Sequence, residues 1–259
     1  MTLYPSRAPA TPPFELQVSR GEVPYHAAYV KPGAIASQGV TEAIINAAGY
    51  VPAYQSAAGV VKISAANAND TSAGTGARTV LVSGLLADFS ASSETISLNG
   101  QTAVNTVQSY IRITEIKVLT VGGGAQSAGI IYAGTGTVTA GVPATVYLQA
   151  PAATVVNGTN VDLGPYLAVP LGFELLLYGA NLQATVSSNT ATLLIKYRAL
   201  AAAVWTNFYT YVTTVNGSDR PMLPYPLRIA AGYEYCITSK ASGTTIASSC
   251  CAYGVYVGG

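Results

Sequence analysis

Hydrophobic and polar residues alternate along most of the chain after Gly59, which is the pattern of β-strands that bury one face. The alternation is clear in residues 78–85 and 94–98, and it extends over the whole of residues 109–121. In this longest run the phase slips near Glu115, which indicates a β-bulge. The pattern therefore predicts a series of strands in this part of the chain.

Turn residues separate the predicted strands. Gly, Asn or Pro recurs about every 8–12 residues, a spacing typical of sandwiches and barrels and not of βαβ units. Asn99-Gly100, between residues 94–98 and 102–106, predicts a tight hairpin. Residues 67–76 form a long turn rich in Asn, Asp and Gly. We predict an all-β protein built of antiparallel β-sandwich or jelly-roll-like domains.

The first thirty residues predict an extended N-terminal arm. Five prolines block regular structure here, because each lacks a backbone donor and fixes φ: Pro5, Pro9, Pro12, Pro13 and Pro24. Such an arm either moves freely or docks on a partner. Phe14, Val18 and Val23 are the apolar side chains through which residues 1–30 would make that contact.

The rest of the chain is predicted to divide where Pro143 and Pro151 bracket a boundary. We expect a β-rich domain over residues 31–142 and a C-terminal β-sandwich domain over residues 143–259. Within the first of these, residues 35–48 contain the one plausible helix, with a threonine available as its N-terminal cap.

Charged side chains are scarce in this sequence. They make up 9% of the residues, against about 25% in an average soluble domain. The chain has eighteen tyrosines, and the centres of interfaces favour tyrosine and avoid charge. This composition favours a protein that neighbouring molecules largely cover; the alternative is a monomer with a polar Ser/Thr surface.

Several partners are not expected. The formal net charge is +1 and no basic run occurs, so we predict no nucleic-acid binding, which requires clustered Lys and Arg. No segment approaches the roughly 20 apolar residues of a membrane-spanning helix, so we predict no membrane partner. The N-terminus lacks a basic region followed by an apolar run, so we expect no secretory signal.

The sequence shows no catalytic constellation, and we predict no enzyme, no cofactor and no metal site. The single histidine, His26, lies in the arm without Ser or Asp partners nearby. The Gly-rich runs at residues 74–76 and 134–136 do not continue as a P-loop. The eleven carboxylates are scattered, so a depolymerase-type pair of acids from distant strands remains as an alternative.

An aromatic stripe lies in the C-terminal half. Strict alternation would place Trp205, Tyr209 and Tyr211 on one face of a strand. These rings could stack on a sugar of a host glycan. Packing in a sandwich core or contact with a partner chain explains the same stripe, and we favour that interpretation.

The three cysteines, Cys236, Cys250 and Cys251, form no disulfide framework, because their number is odd and they cluster near the end. The strands predicted around Cys236 and Cys250 are neighbours, so a bridge from Cys236 to Cys250 or Cys251 stays open. We favour free buried thiols, because cysteine is among the residue types most often buried.

Two stretches resemble a family of uncharacterised structural proteins of tailed-phage virions. The first, residues 14–33, reads FELQVSRGEVPYHAAYVKPG and is similar to a family opening of the form acid-x-x-x-ARG-x-V-x-G-x-x-x-V-x-K-x-G. Here Tyr25 stands where the family often has glycine. The second, within residues 68–106, contains NDTSAGTGARTV and SETISLNGQTAV and is continued by SYIRITEIKVLTVG. Together the resemblance covers about residues 14–134.

The resemblance implies a virion structural protein, assembled in the host cytoplasm, with no catalytic residues. A capsid decoration, or cement, protein is the expectation we favour, with the major capsid protein and further copies of itself as partners. Symmetric packing in capsids suggests a homo-oligomer, and a trimer is our expectation. The alternative is a tail- or vertex-associated module that binds a host glycan.

Overall fold

A computed structural model describes residues 14–45, 55–158, 166–186, 190–200, 202, 204–243 and 245–258. These residues form one short helix, α1 (Phe14–Ser19), and sixteen strands. In chain order the strands are β1 (His26–Gln38), β2 (Ala43–Ile44), β3 (Gly59–Ala65), β4 (Ala77–Leu86), β5 (Ala91–Ser97), β6 (Val104–Val121), β7 (Ile131–Thr139), β8 (Val142–Ala150), β9 (Tyr166–Ala168), β10 (Phe173–Thr185), β11 (Ala191–Ala199), β12 (Thr206–Thr213), β13 (Gly217–Asp219), β14 (Met222–Ile229), β15 (Tyr233–Ala241) and β16 (Ile246–Gly258).

The strands form three antiparallel sheets. The first has the order β1-β16-β10, with β13 and β14 both pairing with the far edge of β10. The second has the order β12-β11-β15, with β2 and β9 both pairing with β15. The third has six strands in the order β5-β4-β6-β3-β7-β8. The prediction of an all-β antiparallel fold is confirmed.

The first and second sheets pack face to face as a β-sandwich. Leu175 and Leu182 of β10 meet Leu193 of β11 and Ile237 of β15 in one buried cluster. Alternate residues of these strands point into this cluster, which we call the sandwich core. Burial of such apolar surface is the main source of stability in a fold of this kind.

The third sheet surrounds a second cluster, which we call the six-strand core. Each of its strands contributes buried side chains, for example Ile63, Val80, Ile96, Ile116, Ile131 and Leu148. β6 is long enough to pair with β3 through its first residues and with β4 through its later ones. The predicted slip near Glu115 is confirmed, because the register skips Thr114 between Glu115 and Ile113.

The outer face of the second sheet contributes to the six-strand core as well. Ile44 of β2, Tyr166 and Ala168 of β9 and Cys236 of β15 belong to that cluster. The second sheet therefore has the sandwich core on one face and the six-strand core on part of the other.

The region predicted as a helix over residues 35–48 is a strand instead. Residues 35–38 complete β1, which pairs with β16, and Ala43–Ile44 forms β2 against β15; residues 46–48 lie outside the described part. Tertiary pairing overrides a weak helix propensity here, since Ile35 and Ile44 are β-branched and become buried. The helix that does form, α1, lies inside the predicted arm.

The strands group differently from the predicted domains. β8 begins at Val142 and pairs with β7, so residues on both sides of the boundary predicted at 142 belong to one sheet. β1 and β2 belong to the sheets of the sandwich. Residues 26–45 therefore associate with residues 166–258, while residues 59–150 form the third sheet.

The Asn99-Gly100 turn does not join two paired strands. β5, before it, pairs with β4, and β6, after it, pairs with β3 and β4. Asn99 instead forms isolated bridges to Thr71 and Thr102, and Gly100 has a φ of 59° beside the backbone of Ala68. The long turn at residues 67–76 therefore fixes this loop, and the predicted hairpin is wrong.

Candidate interaction surfaces

A buried ionic cluster joins the second sheet to the third. The carboxylate of Glu234 in β15 is fully buried and accepts hydrogen bonds from Nε of Arg112 in β6 at 2.9 Å and Nε of Arg198 in β11 at 2.6 Å. The hydroxyl of Tyr166 in β9 donates to the same carboxylate. Four strands from two sheets therefore converge on one side chain.

Nη2 of Arg112 donates a second bond to Glu234, to Oε1 at 3.1 Å, and the guanidinium also bonds backbone carbonyls. Its two terminal nitrogens donate to Gln55, Ile111 and Leu200 at 2.6, 2.7 and 2.9 Å. Burial by itself lowers the pKa of Arg112, but Glu234 and Tyr166 outweigh it and raise that pKa. Two guanidiniums around one carboxylate, all of them buried, give a structural junction between the two sheets.

This cluster is not predicted from the sequence. Its signal is a charged residue inside an otherwise apolar strand, as at Arg112 in SYIRITEI and at Glu234 in YEYCIT. Such residues are rarely buried unless they are paired. The two positions are 122 residues apart, so the sequence alone does not show that they meet.

Asp70 holds the long turn at residues 67–76. Its buried carboxylate accepts hydrogen bonds from the backbone N–H groups of Ala77, Ala128 and Gly129 at 2.7–2.8 Å. A side chain on Gly76 would clash with this carboxylate, since its Cβ would lie 2.2 Å from Oδ1. The motif that carries the family resemblance is therefore a structural turn.

The apolar residues proposed for the arm lie in or beside α1. Val18 is buried, Val23 is half-buried and Phe14 is exposed. The ring of Phe14 meets the ring of His26 edge-on, with 5.6 Å between centroids. His26 donates from Nδ1 to the carbonyl of Pro24 at 2.8 Å. Val18 thus packs within its own chain, and Phe14 is the most exposed of the three.

The predicted aromatic stripe is divided by a bulge in β12. The register between β11 and β12 skips Phe208, which reverses the alternation at that point. Trp205 packs against the six-strand core, with the guanidinium of Arg198 4.3 Å from the centre of its ring. Tyr209 and Tyr211 pack against the sandwich core instead. The three rings therefore do not share a face.

All three cysteines are free thiols. Burial raises the pKa of both Cys236 and Cys250 well above the ordinary thiol value, which makes them unreactive. Cys251 is half-buried. The expectation of free thiols is confirmed, and Cys236 is bridged to neither of the others.

One cleft lies where the third sheet meets the sandwich. It has a volume of about 440 Å³, and its lining includes Ser83, Ser92, Thr114, Pro170 and Tyr256. No charged side chain is among its lining residues. A cleft of about 410 Å³ lies beside the ion pair of Glu174 and Arg228 on the first sheet.

Two further findings in the described ranges concern metal ligands and membrane-spanning helices. Within them, no three His, Cys, Asp or Glu side chains lie close enough to hold a metal ion. The helix there is too short to cross a membrane.

Comparison with known proteins gave no relatives: no family model, no curated protein and no solved structure matches this chain. The fold and the surfaces described above are therefore the basis for a functional proposal.

Proposed function

We propose that this protein is a non-enzymatic structural component of a virus particle, most simply a capsid decoration or cement protein. The observation that carries the proposal is the scarcity of charge at its surface. Only 9% of residues are charged, and among the described residues four of them are buried and bonded internally: Asp70, Arg112, Arg198 and Glu234. Such a surface suits a protein covered by its neighbours.

The resemblance of residues 14–134 to phage structural proteins supplies the virion part of the proposal. The described residues support the structural part, because their buried charged groups serve to join sheets and turns. The major capsid protein and further copies of the chain are the partners we propose.

The N-terminal segment is the part we propose to contact the capsid. Residues 1–13 precede α1, and α1 leads through a short turn into β1. Residues 26–30 belong to β1 and pair with β16, so a deletion that includes them would damage the first sheet. Deletion of residues 1–13 leaves every described strand intact and is the better test of docking.

The decisive experiment is the copy number of the protein in purified particles. We expect it to remain with particles after nuclease treatment and salt washing, at about a hundred copies or more if it decorates the symmetric shell. About a dozen copies or fewer would place it in the tail or at a vertex. Absence from washed particles would refute the virion assignment.

A truncated protein tests the docking segment separately. We expect the variant that lacks residues 1–13 to fold with an unchanged melting temperature and to be lost from particles. Full occupancy by this variant would refute the docking role while leaving the virion assignment intact. A variant lacking residues 1–30 serves as the comparison, since it should also lose stability.

The glycan-binding alternative has lost its basis in sequence. It rested on a common face for Trp205, Tyr209 and Tyr211, but these rings contribute to two different cores. The alternative therefore lacks the shared aromatic face that motivated it.

A further inference from the structure

The outer strands of the three sheets differ in how they are protected from pairing with other chains. Exposed edge strands carry unpaired backbone N–H and C=O groups. Proteins usually prevent these strands from pairing with other chains by placing a charged residue or a proline in them, or by keeping them short. Outer strands with a charged residue or a proline are β1 (Lys31, Pro32), β5 (Glu94), β8 (Pro143), β13 (Asp219) and β14 (Pro226). The outer strands β2 and β9 have only two and three residues.

β12 has none of these features. It is an eight-residue outer strand of the second sheet, with the sequence TNFYTYVT, and it pairs with β11 alone among the described strands. Residues 199–218, which include β12, contain no charged side chain. This is the one long sheet edge in the described part of the chain that is open to strand addition.

The outer face of β12 is also partly apolar. Phe208 and Val212 are 39% and 55% exposed, and they lie on either side of the exposed Thr210. Val204 and Val215 extend the exposed apolar surface beyond both ends of the strand. Covering these side chains would supply hydrophobic stabilisation in addition to backbone hydrogen bonds.

We propose that β12 pairs antiparallel with β12 of a second copy of this chain, across a two-fold axis that passes beside Thr210. In such a two-fold interface, if one residue of the first copy contacts a second residue of the other copy, the reverse contact forms as well. With Thr210 opposite Thr210, Phe208 lies opposite Val212 twice. Aromatic and β-branched side chains form favourable cross-strand pairs.

The same register suits the opposite face of the strand. Tyr209 and Tyr211 come opposite each other, again twice, because they are equally spaced about Thr210. A strand without charges can adopt this pairing without placing like charges opposite each other. The two copies of the second sheet would then form one continuous sheet.

The dimer should be reversible in dilute solution, because a single pair of eight-residue strands forms a small interface. In an assembly that holds many copies close together, the effective concentration would favour it. The inference rests on the strand itself and does not require the virion assignment.

The test uses the full chain, with light scattering and sedimentation over a series of concentrations. We expect the wild type to form dimers as concentration rises. Thr210→Lys and Thr210→Glu should each weaken dimerisation about tenfold or more, because like charges would face each other at the axis. An equimolar mixture of the two variants should restore a dimer that contains one copy of each.

Val30→Lys is the matched control, because Val30 is an exposed valine on β1, another long outer strand of the sandwich. It should leave dimerisation unchanged. Four results would overturn the proposal: a monomer at every concentration, a dimer or trimer insensitive to charge at Thr210, no recovery in the mixture, or an equal loss in Val30→Lys.

A cross-linking variant covers the case in which a charge at Thr210 unfolds the protein. Thr210→Cys should form a disulfide-linked dimer with mild oxidant while retaining the wild-type melting temperature, since paired residues in antiparallel strands come close enough for a disulfide. Wild type treated in the same way is the control for the native cysteines. A folded variant that does not cross-link would also overturn the proposal.

Discussion

At the scale of single residues, Glu234 has the largest expected effect on stability. Its carboxylate is the acceptor shared by Arg112, Arg198 and Tyr166. Glu234→Gln would leave two buried guanidiniums without a compensating charge, and breaking a buried ion pair in this way costs about 3–5 kcal/mol. We expect the free energy of unfolding, measured in urea, to fall by that amount.

Glu174→Gln is the control for this prediction. Glu174 also pairs with an arginine, Arg228 at 2.5 Å, but the arginine is 72% exposed. Exposed ion pairs contribute about 0–1 kcal/mol. Equal losses in the two variants would contradict the structural role of the Glu234 cluster.

Tyr25 is a second residue whose backbone leads to a prediction. Its φ is 63°, in the left-handed region, while its side chain is 78% exposed. A non-glycine residue in this region costs about 1–2 kcal/mol, and glycine has no such penalty. The glycine that the resemblance would lead us to expect here suits this backbone.

We expect Tyr25→Gly to keep or slightly raise the free energy of unfolding, because relief of strain offsets the greater freedom of the unfolded chain. Tyr25→Val should lower it by about 1 kcal/mol, since a β-branched residue tolerates this region poorly. Thermal and urea unfolding measure both. Val30→Gly, in β1, is the control and should lower the free energy of unfolding. A similar decrease in Tyr25→Gly would argue against backbone strain at Tyr25.

At the scale of elements, β12 shows how a bulge changes the role of aromatic side chains. Trp205 contacts Arg198 and the six-strand core. We expect Trp205→Ala to destabilise the protein by about 2–3 kcal/mol through lost packing and lost cation–π contact. The control is Tyr225→Ala, which removes an aromatic ring that is 83% exposed and should change stability little.

A glycan array separates this structural role from sugar recognition. If Trp205 acts only in packing, neither the wild type nor Trp205→Ala should bind glycans through this ring. Glycan binding by the wild type that disappears in a folded Trp205→Ala variant would restore the recognition hypothesis.

The strands also show how much of the fold could be predicted from the sequence. Alternation identified the strands around residues 78–85 and 109–121 correctly, including the bulge near Glu115, because burial of one face imposes a period of two. The same rule failed at Trp205, where a bulge one residue long reverses the face. Pairing partners were not predictable either, since Asn99-Gly100 has the composition of a hairpin turn but is fixed by contacts with the distant loop that contains Thr71.

The helix predicted over residues 35–48 was wrong for a related reason. Their composition permits a short helix, but β16 supplies backbone partners along nearly the whole of β1. Pairing across more than 200 residues of sequence is invisible in a local window. For the same reason, the sequence analysis could find charged residues inside strands but could not show that Arg112 and Glu234 meet.

At the scale of the whole molecule, buried tyrosines should set the alkaline limit of stability. The hydroxyls of Tyr29 and Tyr235 lie 2.5 Å apart in the sandwich core, and burial raises the pKa of both. Burial raises the pKa of Tyr256 also. In the six-strand core, burial together with the charge of Glu94 raises the pKa of Tyr110 to about 12.

These shifts give a definite sign to the pH dependence. In the unfolded chain tyrosine ionises near pH 10, whereas the folded protein keeps these hydroxyls protonated to higher pH. The folded state therefore binds more protons above about pH 10, and the free energy of unfolding must fall as the pH rises from there. Below that pH the four groups are protonated in both states, and the stability they provide is fully present.

Phenolate absorbance and melting temperature, followed together from neutral to strongly alkaline pH, measure the effect. We expect exposed tyrosines to titrate first and the buried set to ionise only as the protein unfolds. Tyr29→Phe should reduce the alkaline slope of stability by about one proton per molecule, while Tyr225→Phe should leave it unchanged. Ionisation of all eighteen tyrosines in one step near pH 10, without unfolding, would contradict this prediction. It would mean that the tyrosines assigned to the two cores are accessible to water, including Tyr29 and Tyr235, which pack against each other.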